Sequence, residues 1–471
     1  MYLEIKPIHL LSKLSLLIAV ACILSSCAMS SVPLSAEEYH KRGLALLNSK
    51  DYDLAIIQFD KSLAVRPNSA ETFKERCRAH LEKGIFTRAV ADCDDALKLK
   101  PHMVEAYIHR GFAYYEQGDS YSAWEDYDAA IEIDPKAQRA YYGRGILNYE
   151  DGDYDLALED FDKALDIGPK DYLIYIDRGW TYVELKDFDR AIADFNEALT
   201  LEALTLNDAH SEAYRGRGWV LYKQKKYVPA LMDLDRAIEL DPKNAYAYND
   251  RGVIYDAHGN RSKAFADYSQ AIELDPELGL SYYNRGRINL VSGNYASAIS
   301  DFTEASQLYV YGEDVSMADV YYNRGLAYLA QDICDCAIKD FEAVIRVEPD
   351  YHQAYTMRGL AYASQYKFDK AIEDYSQSIK IKSDNAWAYA WRAIAHAEKR
   401  NFDLAFTDVR QTFLWQGADD GQIAHFAQGK VYALQGEREK ARRDLGIVVE
   451  VSKDSWLRLQ AQKEIKALEG Y

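Results

Sequence analysis

The sequence predicts an all-α solenoid made of about twelve copies of one helical hairpin, and three observations support this prediction. Similar residues recur with a 34-residue period from residue 36 almost to the end of the chain. Alanine occupies position 20 of all twelve repeats, from Ala55 to Ala441. Proline occupies position 32 in seven repeats, where it ends a helix because it has no backbone N–H to donate. Periods of this length are typical of stacked hairpins that share one continuous core.

Small and aromatic residues recur at fixed positions inside each repeat. Position 8 is glycine in ten repeats, with Cys77 and Ala393 as the exceptions, and positions 4 and 24 are mostly aromatic. Small residues at positions 8 and 20 allow two helices to approach closely, and the aromatic side chains fill the remaining space. Glycine at position 15, such as Gly118, predicts a left-handed helix end, and the following Asp119 is a typical N-cap residue.

Taken together, these positions resemble the tetratricopeptide repeat, and the resemblance covers nearly the whole chain after residue 35. It implies antiparallel helix pairs that stack into a right-handed superhelix, with a concave groove lined by the first helix of each repeat. Two five-residue inserts, Leu206–His210 and Glu313–Met317, interrupt the period, and the helices before them are expected to run longer because no proline ends them. The array then divides into repeats one to five (36–205), six to eight (211–312) and nine to twelve (318–455), followed by a capping helix over 456–471.

The first 26 residues have the composition of a signal peptide rather than of a folded segment. Lys6 and Lys13 give a positive start, and Leu14–Leu24 is apolar but short for a membrane span. The stretch ends in Leu-Ser-Ser before Cys27, which resembles the bacterial lipobox. An ordinary secretory signal or an uncleaved anchor is the alternative.

The lipobox resemblance implies that Cys27 is lipidated, that residues 1–26 are a lipoprotein signal peptide, and that 27–35 is a tether. Cys22 fits the pattern less well because Ala19 stands where an aliphatic residue is expected. Ala28, which follows Cys27, permits transport to the outer membrane in Gram-negative relatives. The expected location is therefore the bacterial cell envelope, where several acyl chains attach the protein stably to a membrane.

An arginine and an aspartate occur together in repeats two to eleven, at positions 7 and 23. Arg110 with Asp126 and Arg217 with Asp233 are examples. The tetratricopeptide family often has apolar residues at both positions. We interpret the pairs as a ladder of partly buried ion pairs between the two helices of each repeat. A charged ligand track is the weaker alternative because the two signs cancel.

Four cysteines lie after the predicted signal peptide and the lipobox. Cys77 and Cys93 occupy core positions 8 and 24 of one repeat, so they are either buried thiols, the more common state, or a disulfide in an exported protein. Cys334 and Cys336 point to different faces of a helix, and we interpret them as packing residues.

Composition excludes several function classes. The net charge of -19 opposes binding to phosphate backbones, so no nucleic-acid partner is expected. The sequence contains no zinc-protease, nucleophile-elbow or phosphate-loop motif, and its ten histidines are scattered. We therefore predict a protein that is not an enzyme and that has no cofactor and no metal.

The predicted groove carries the functional signal. In the tetratricopeptide family, positions 2, 5, 9, 12 and 13 face the groove, and in repeats three to six these positions are rich in aromatic and acidic residues. Tyrosine and tryptophan dominate binding energies at protein interfaces. Packing between helices without a ligand is the alternative. The predicted partner-binding residues are Phe112, Tyr115, Tyr142, Tyr149, Trp180, Trp219 and Tyr222, with Glu116, Glu150 and Glu184 as an acidic rim.

The leading hypothesis is a membrane-tethered scaffold of the bacterial cell envelope, which binds a partner protein or a basic peptide segment in this groove. A glycan-binding module and an accessory subunit of an envelope enzyme complex are the alternatives. The family's clamp for carboxylate tails of chaperones is not supported, because the corresponding positions hold His40, Leu44, Lys74 and Arg78.

Overall fold

The computed structural model describes residues 34–201, 207–308, 315–415 and 421–469. These residues form 25 α-helices and no strands, in agreement with the predicted all-α repeat array. Among them, no helix combines the length and the apolar character needed to cross a bilayer. Cys27 and the predicted signal peptide lie outside the described residues.

The chain divides into two compact units, Met1–Thr205 and Leu206–Tyr471, which we call the N-terminal unit and the C-terminal unit. The predicted division into three blocks stays a prediction. The helices of the N-terminal unit are α1 Ala36–Asn48, α2 Tyr52–Val65, α3 Ala70–Glu82, α4 Phe86–Leu99, α5 Val104–Tyr115, α6 Ser120–Ile133, α7 Gln138–Glu150, α8 Tyr154–Ile167, α9 Tyr172–Glu184 and α10 Phe188–Thr200.

The C-terminal unit continues the same alternation of first and second helices and ends with one unpaired helix, α25. Its helices are α11 Asn207–Lys223, α12 Tyr227–Leu240, α13 Ala245–Ala257, α14 Arg261–Leu274, α15 Gly279–Val291, α16 Tyr295–Gln307, α17 Met317–Ala330, α18 Cys334–Val347, α19 His352–Ser364, α20 Phe368–Ile381, α21 Ala386–Glu398, α22 Phe402–Trp415, α23 Gln422–Gln435, α24 Arg438–Val451 and α25 Ser455–Glu469. Helix α25 buries Leu457 and Ala461 against the last repeat, as expected of a capping helix.

Every hairpin turns through one residue with a positive φ at position 15 of its repeat. Gly118 and Gly152 have φ values of 77° and 81°, so the predicted left-handed helix end is confirmed. Asp119 then caps α6 by accepting a hydrogen bond from the Ser122 amide. Six repeats use a residue other than glycine at this position, for example Lys186 with φ 60°.

In the ten repeats that have glycine at position 8, the close approach of the two helices depends on it. A Cβ atom built on Gly145 would lie 2.7 Å from Phe161 Cε1, and one built on Gly252 would lie 2.7 Å from Tyr268 Cε1. Both rings are essentially inaccessible to solvent. The glycine is therefore required because the aromatic ring at position 24 already fills the space that a side chain would need.

The expectation of longer helices before the two inserts is wrong. Helices α10 and α16 end at Thr200 and Gln307 and have only 13 residues each. The inserts begin the next helix instead. Helix α11 starts inside the first insert and runs for 17 residues. Ser316 of the second insert caps α17 in a reciprocal capping box with Asp319, which satisfies amides at the helix start.

Cys77 and Cys93 form a disulfide, so the favoured interpretation of two buried thiols is wrong. Their Cα atoms are 5.6 Å apart, a separation that suits a bridge. The small side chains at positions 8 and 24 of this repeat meet directly, whereas most other repeats place a ring against glycine there. Cys334 and Cys336 are free, and Cys334 is buried.

Both arginine–aspartate pairs singled out from the sequence are present. Arg110 donates from Nε and Nη2 to the two carboxylate oxygens of Asp126 at 2.8 and 2.6 Å, and Arg217 binds Asp233 in the same way at 2.7 and 2.8 Å. The same two-pronged pairing recurs in all ten repeats that carry both residues. The carboxylates are almost fully buried.

Most of these arginines also contact the preceding repeat, which the sequence did not reveal. Arg110 Nη1 donates to Asp94 Oδ1 at 2.5 Å, and its guanidinium group lies 5.5 Å from the ring centroid of Tyr107. Burial opposes the charge on Arg110, but Asp126 and Asp94 outweigh it and raise the pKa of Arg110. The contact to the previous repeat recurs in Arg76–Asp60, Arg144–Asp128, Arg178–Asp162 and Arg251–Asp235. A single arginine side chain therefore links the two helices of its own repeat to each other and also links that repeat to the preceding one.

Candidate functional site

A cavity of about 660 Å³ lies in the N-terminal unit between the first helices of repeats two to five. Helix α5 contributes Ile108, Phe112 and Tyr115, and α7 contributes Tyr142 and Ile146. Leu81 and Leu173 extend the apolar lining on α3 and α9. A volume of this size is in the range of sites that bind small molecules or a few side chains.

Two glycines at the floor of the cavity leave room for an aromatic ring from the second helix of a repeat. A Cβ atom on Gly143 would lie 2.4 Å from Tyr127 Cζ, and one on Gly111 would lie 3.0 Å from Tyr127 Cε1. Tyr127 of α6 is 3% exposed and fits between α5 and α7. Its ring therefore forms part of the floor of the cavity.

Hydrogen bonds between successive repeats fix the cavity wall. The Tyr115 hydroxyl donates to Glu150 Oε1 at 2.5 Å, and the Tyr142 hydroxyl donates to Asp177 Oδ2 at 2.7 Å. Burial and the neighbouring carboxylate raise the pKa of both tyrosines, so they stay protonated donors. These bonds span 35 residues and join first helices of adjacent repeats.

The cavity lining holds two arginines and two carboxylates, and of these only the carboxylates have hydrogen-bond partners among the described residues. Within the described part of the chain, Arg78 and Arg139 line the cavity without an ion pair or a hydrogen bond from their side chains. The carboxylates there are engaged: Glu82 accepts from the Tyr52 hydroxyl, and Asp171 accepts from the Leu173 amide at the start of α9.

His109 also lines this cavity and is uncharged at neutral pH. Burial, together with the charges of Lys74, Arg78 and Arg139, lowers the pKa of His109 to about 3. Its Nδ1 atom is buried and has no hydrogen-bond partner among the described residues. The site therefore combines an apolar floor with two free guanidinium groups and one neutral imidazole.

Three of the predicted groove residues, Phe112, Tyr115 and Tyr142, line the cavity. Phe112 is the most accessible of the three at 41% exposure. The others of the N-terminal unit lie outside the lining: Trp180 packs edge-on against Phe195, and Tyr149 packs near Tyr154.

The acidic rim is less uniform than predicted. Glu116 is exposed beyond the end of α5 and Glu184 is the last residue of α9, whereas Glu150 is bound by Tyr115. Trp219 and Tyr222 belong to the C-terminal unit, where their ring centroids are 5.3 Å apart. Their role in binding stays a prediction.

Sequence reasoning did not place Arg139 or His109 in the groove, and it mentioned Arg78 only in connection with the carboxylate clamp. Arg78 and Arg139 occupy positions 9 and 2 of their repeats, which face the groove in the resembled family. These positions could therefore have identified both arginines as groove residues from the sequence alone. His109 stands at position 6, and no spacing rule pointed to it.

A second cavity of about 370 Å³ lies in the C-terminal unit and is lined mainly by apolar side chains. Trp387 and Trp391 come from α21, and Trp456 comes from the capping helix. Trp391 Nε1 is buried without a hydrogen-bond partner in the described ranges. Leu326, Leu329 and Met357 complete the apolar wall, so this cavity suits an apolar group.

The paired helices and the close glycine–aromatic contacts between them define a helical-repeat protein. Sequence comparison identifies the repeat. Profiles described as Tetratricopeptide repeat match residues 40–104, 110–172, 172–203, 211–244 and 245–278, and one described as TPR repeat matches 359–399. These matches span more than half of the chain, which therefore belongs to the tetratricopeptide-repeat family.

The chain is also similar to several solved structures at low sequence identity. Yeast Tom70 is 17% identical over 92% of this chain and 96% of its own, with a TM-score of 0.34. YrrB, described as a TPR protein with an unusual peptide-binding site, is 28% identical over 39% of this chain and 92% of its own, with a TM-score of 0.32. Human IFIT1, solved as a dimer with m7Gppp-AAAA, is 14% identical over 83% and 92%, with a TM-score of 0.48. No curated protein matches the sequence.

Proposed function

We propose that this chain is a membrane-tethered scaffold of the bacterial cell envelope, and that the cavity of the N-terminal unit binds a segment of a partner protein. The tetratricopeptide fold supports protein–protein interaction as the general role. The cavity carries the specific proposal, because it places an exposed aromatic side chain, Phe112, beside two free guanidinium groups.

The sequence predicted a basic partner segment from the acidic rim. The two arginines of the cavity favour an acidic segment instead. Glu82 and Glu150 already accept hydrogen bonds from tyrosine hydroxyls, whereas Arg78 and Arg139 have no partner of their own in the described chain. Arginine pairs well with carboxylates because its planar fork matches their two oxygens. The proposed ligand is therefore a peptide segment with an acidic residue beside a bulky apolar one.

Capture of partners from solubilised membranes tests the binding surface. Phe112→Ala and Arg139→Glu are each expected to lose at least one protein that the wild type retains, because one removes apolar contact and the other reverses a free charge. Arg88→Glu is the matched control, since Arg88 is exposed on α4 and does not line the cavity. Melting curves of all variants check that folding is unchanged. Identical capture by the cavity variants and the control would contradict the proposal.

The membrane anchor is tested separately by metabolic labelling with palmitate. The wild type is expected to incorporate label, and Cys27→Ser is expected to lose it, because the thiol at the lipobox position is the acylated group. Cys22→Ser is the control and should keep the label. Persistent labelling of Cys27→Ser would refute the anchor and leave the binding proposal intact.

A further inference from the structure

The core of the second repeat contains a cluster of metal-binding donor types. Cys77 and Cys93 stand at the two positions that glycine and an aromatic ring share in most other repeats, and both are fully buried. His109, from the first helix of the next repeat, lies beside them. The donor atoms of the three residues all lie within 4.8 Å of one another.

One ring nitrogen of the histidine in this cluster makes no hydrogen bond within the described chain. This atom, His109 Nδ1, is buried. A buried polar atom without a partner is costly, and native proteins rarely retain one without a reason. The disulfide does not satisfy this nitrogen, because a bonded sulfur is at best a weak acceptor.

We propose that the reduced form of this cluster binds one Zn²⁺ ion through Cys77 Sγ, Cys93 Sγ and the His109 imidazole. Two thiolates and one imidazole form a donor set that is typical of zinc, and they leave one tetrahedral position open. Zn–S bonds of about 2.3 Å place two sulfur ligands about 3.8 Å apart in a tetrahedron. In the disulfide the two sulfur atoms are bonded to each other, so reduction must let them move apart to reach that spacing. All three donors remain within reach of one ion, because they lie within 4.8 Å of one another.

Charge and access agree with this assignment. Two thiolates neutralise the two positive charges of the ion, which limits the cost of placing it in a buried environment. The fourth ligand is a water molecule. It can arrive from the cavity of the N-terminal unit because His109 is part of the cavity lining.

The disulfide and the zinc site are mutually exclusive states of the same two sulfur atoms. A dithiol reductant supplies two electrons and two protons, which cleave the S–S bond into two thiols, and the reductant itself becomes a disulfide. Zn²⁺ then displaces both thiol protons, which pass to solvent, when the two Zn–S bonds form. The oxidised chain has no thiolate at this place and cannot bind the ion.

Cobalt binding tests the proposal in the full chain, because Co²⁺ occupies zinc sites and thiolate coordination gives it a strong near-ultraviolet absorption. Chain reduced with dithiothreitol and desalted without oxygen is expected to bind one Co²⁺ with this absorption, and Zn²⁺ is expected to displace it. Oxidised chain should show none. His109→Ala should weaken the affinity by roughly 10–100-fold or more, since even an outer-shell change costs that much.

Two cysteine variants complete the test. Cys77→Ser/Cys93→Ser is expected to abolish the thiolate absorption, whereas Cys334→Ser/Cys336→Ser should keep it. Circular dichroism of each variant checks that the helices are intact, and His109→Ala keeps the proposal falsifiable if the double serine variant does not fold. Three results would overturn the site: no thiolate absorption in reduced wild type, survival of the absorption in Cys77→Ser/Cys93→Ser, or unchanged affinity in His109→Ala.

Discussion

Arg110→Leu is expected to lower the free energy of unfolding of the N-terminal unit by about 3–5 kcal/mol, the usual effect of breaking a buried ion pair from one side. The substitution removes two hydrogen bonds to Asp126, one to Asp94 and the contact with the Tyr107 ring. Asp126 then stays as an unpaired carboxylate that is 4% exposed. Denaturant-induced unfolding followed by circular dichroism measures the loss.

Two controls separate the pair from the simple loss of an arginine. Arg88→Leu changes an exposed arginine on the neighbouring α4 and is expected to have little effect. Arg110→Leu/Asp126→Leu removes both charges and is expected to recover part of the stability, because no buried charge is left without a partner. Equal losses of stability for Arg110→Leu and Arg88→Leu would show that the Arg110–Asp126 pair stabilises the unit no more than an exposed arginine does.

The second large effect concerns Gly252 at position 8, where alanine is expected to have the opposite effect to the same change at Gly446, which stands elsewhere in its repeat. Gly252→Ala should destabilise the C-terminal unit by about 1–3 kcal/mol through overpacking, because the new methyl group would lie 2.7 Å from Tyr268 Cε1. Gly446→Ala should stabilise the same unit by up to about 1 kcal/mol, the helix preference of alanine over glycine, because nothing lies within 4 Å of the added atom.

Chemical unfolding of both variants under the same conditions measures this difference. Both glycines lie inside helices of one compact unit, α13 and α24, so the comparison removes general effects of helix propensity. Stabilisation by both substitutions would contradict the explanation given for glycine at position 8.

Local features of the repeat could be predicted from the sequence because each depends on residues close together in one hairpin. Gly118 requires a left-handed backbone that is local to its turn, and Arg110 meets Asp126 across a single helix pair. Spacing alone therefore gave the turns, the close glycine contacts and the ion pairs.

Features that depend on neighbouring repeats were harder to predict. The bond from Arg110 to Asp94 joins two repeats, and the cavity depends on where Arg139 and Leu173 lie relative to α5. The predicted stripe of groove residues treated every aromatic side chain alike. The structure distinguishes Phe112, which is accessible, from Trp180, which packs on a second-helix ring.

The inserts and the cysteines show a third kind of difference, in which the sequence left two physical outcomes open. An insert can lengthen the helix before it or begin the helix after it, and Ser316 decided the outcome by capping α17. Cys77 and Cys93 could pack as thiols or join, and only the distance between them settled the choice.

Selection from a random displayed-peptide library tests the central claim most directly, because the binding preference of the cavity is measured without first identifying the partner. The wild-type chain is used for selection, and Arg78→Glu/Arg139→Glu is used for counter-selection, since these are the free charges of the cavity. We expect enriched peptides with Asp or Glu beside a bulky apolar residue, bound by wild type and by Arg88→Glu but not by the cavity variants. Enrichment of Lys-rich or Arg-rich peptides, or equal binding to every variant, would contradict the account.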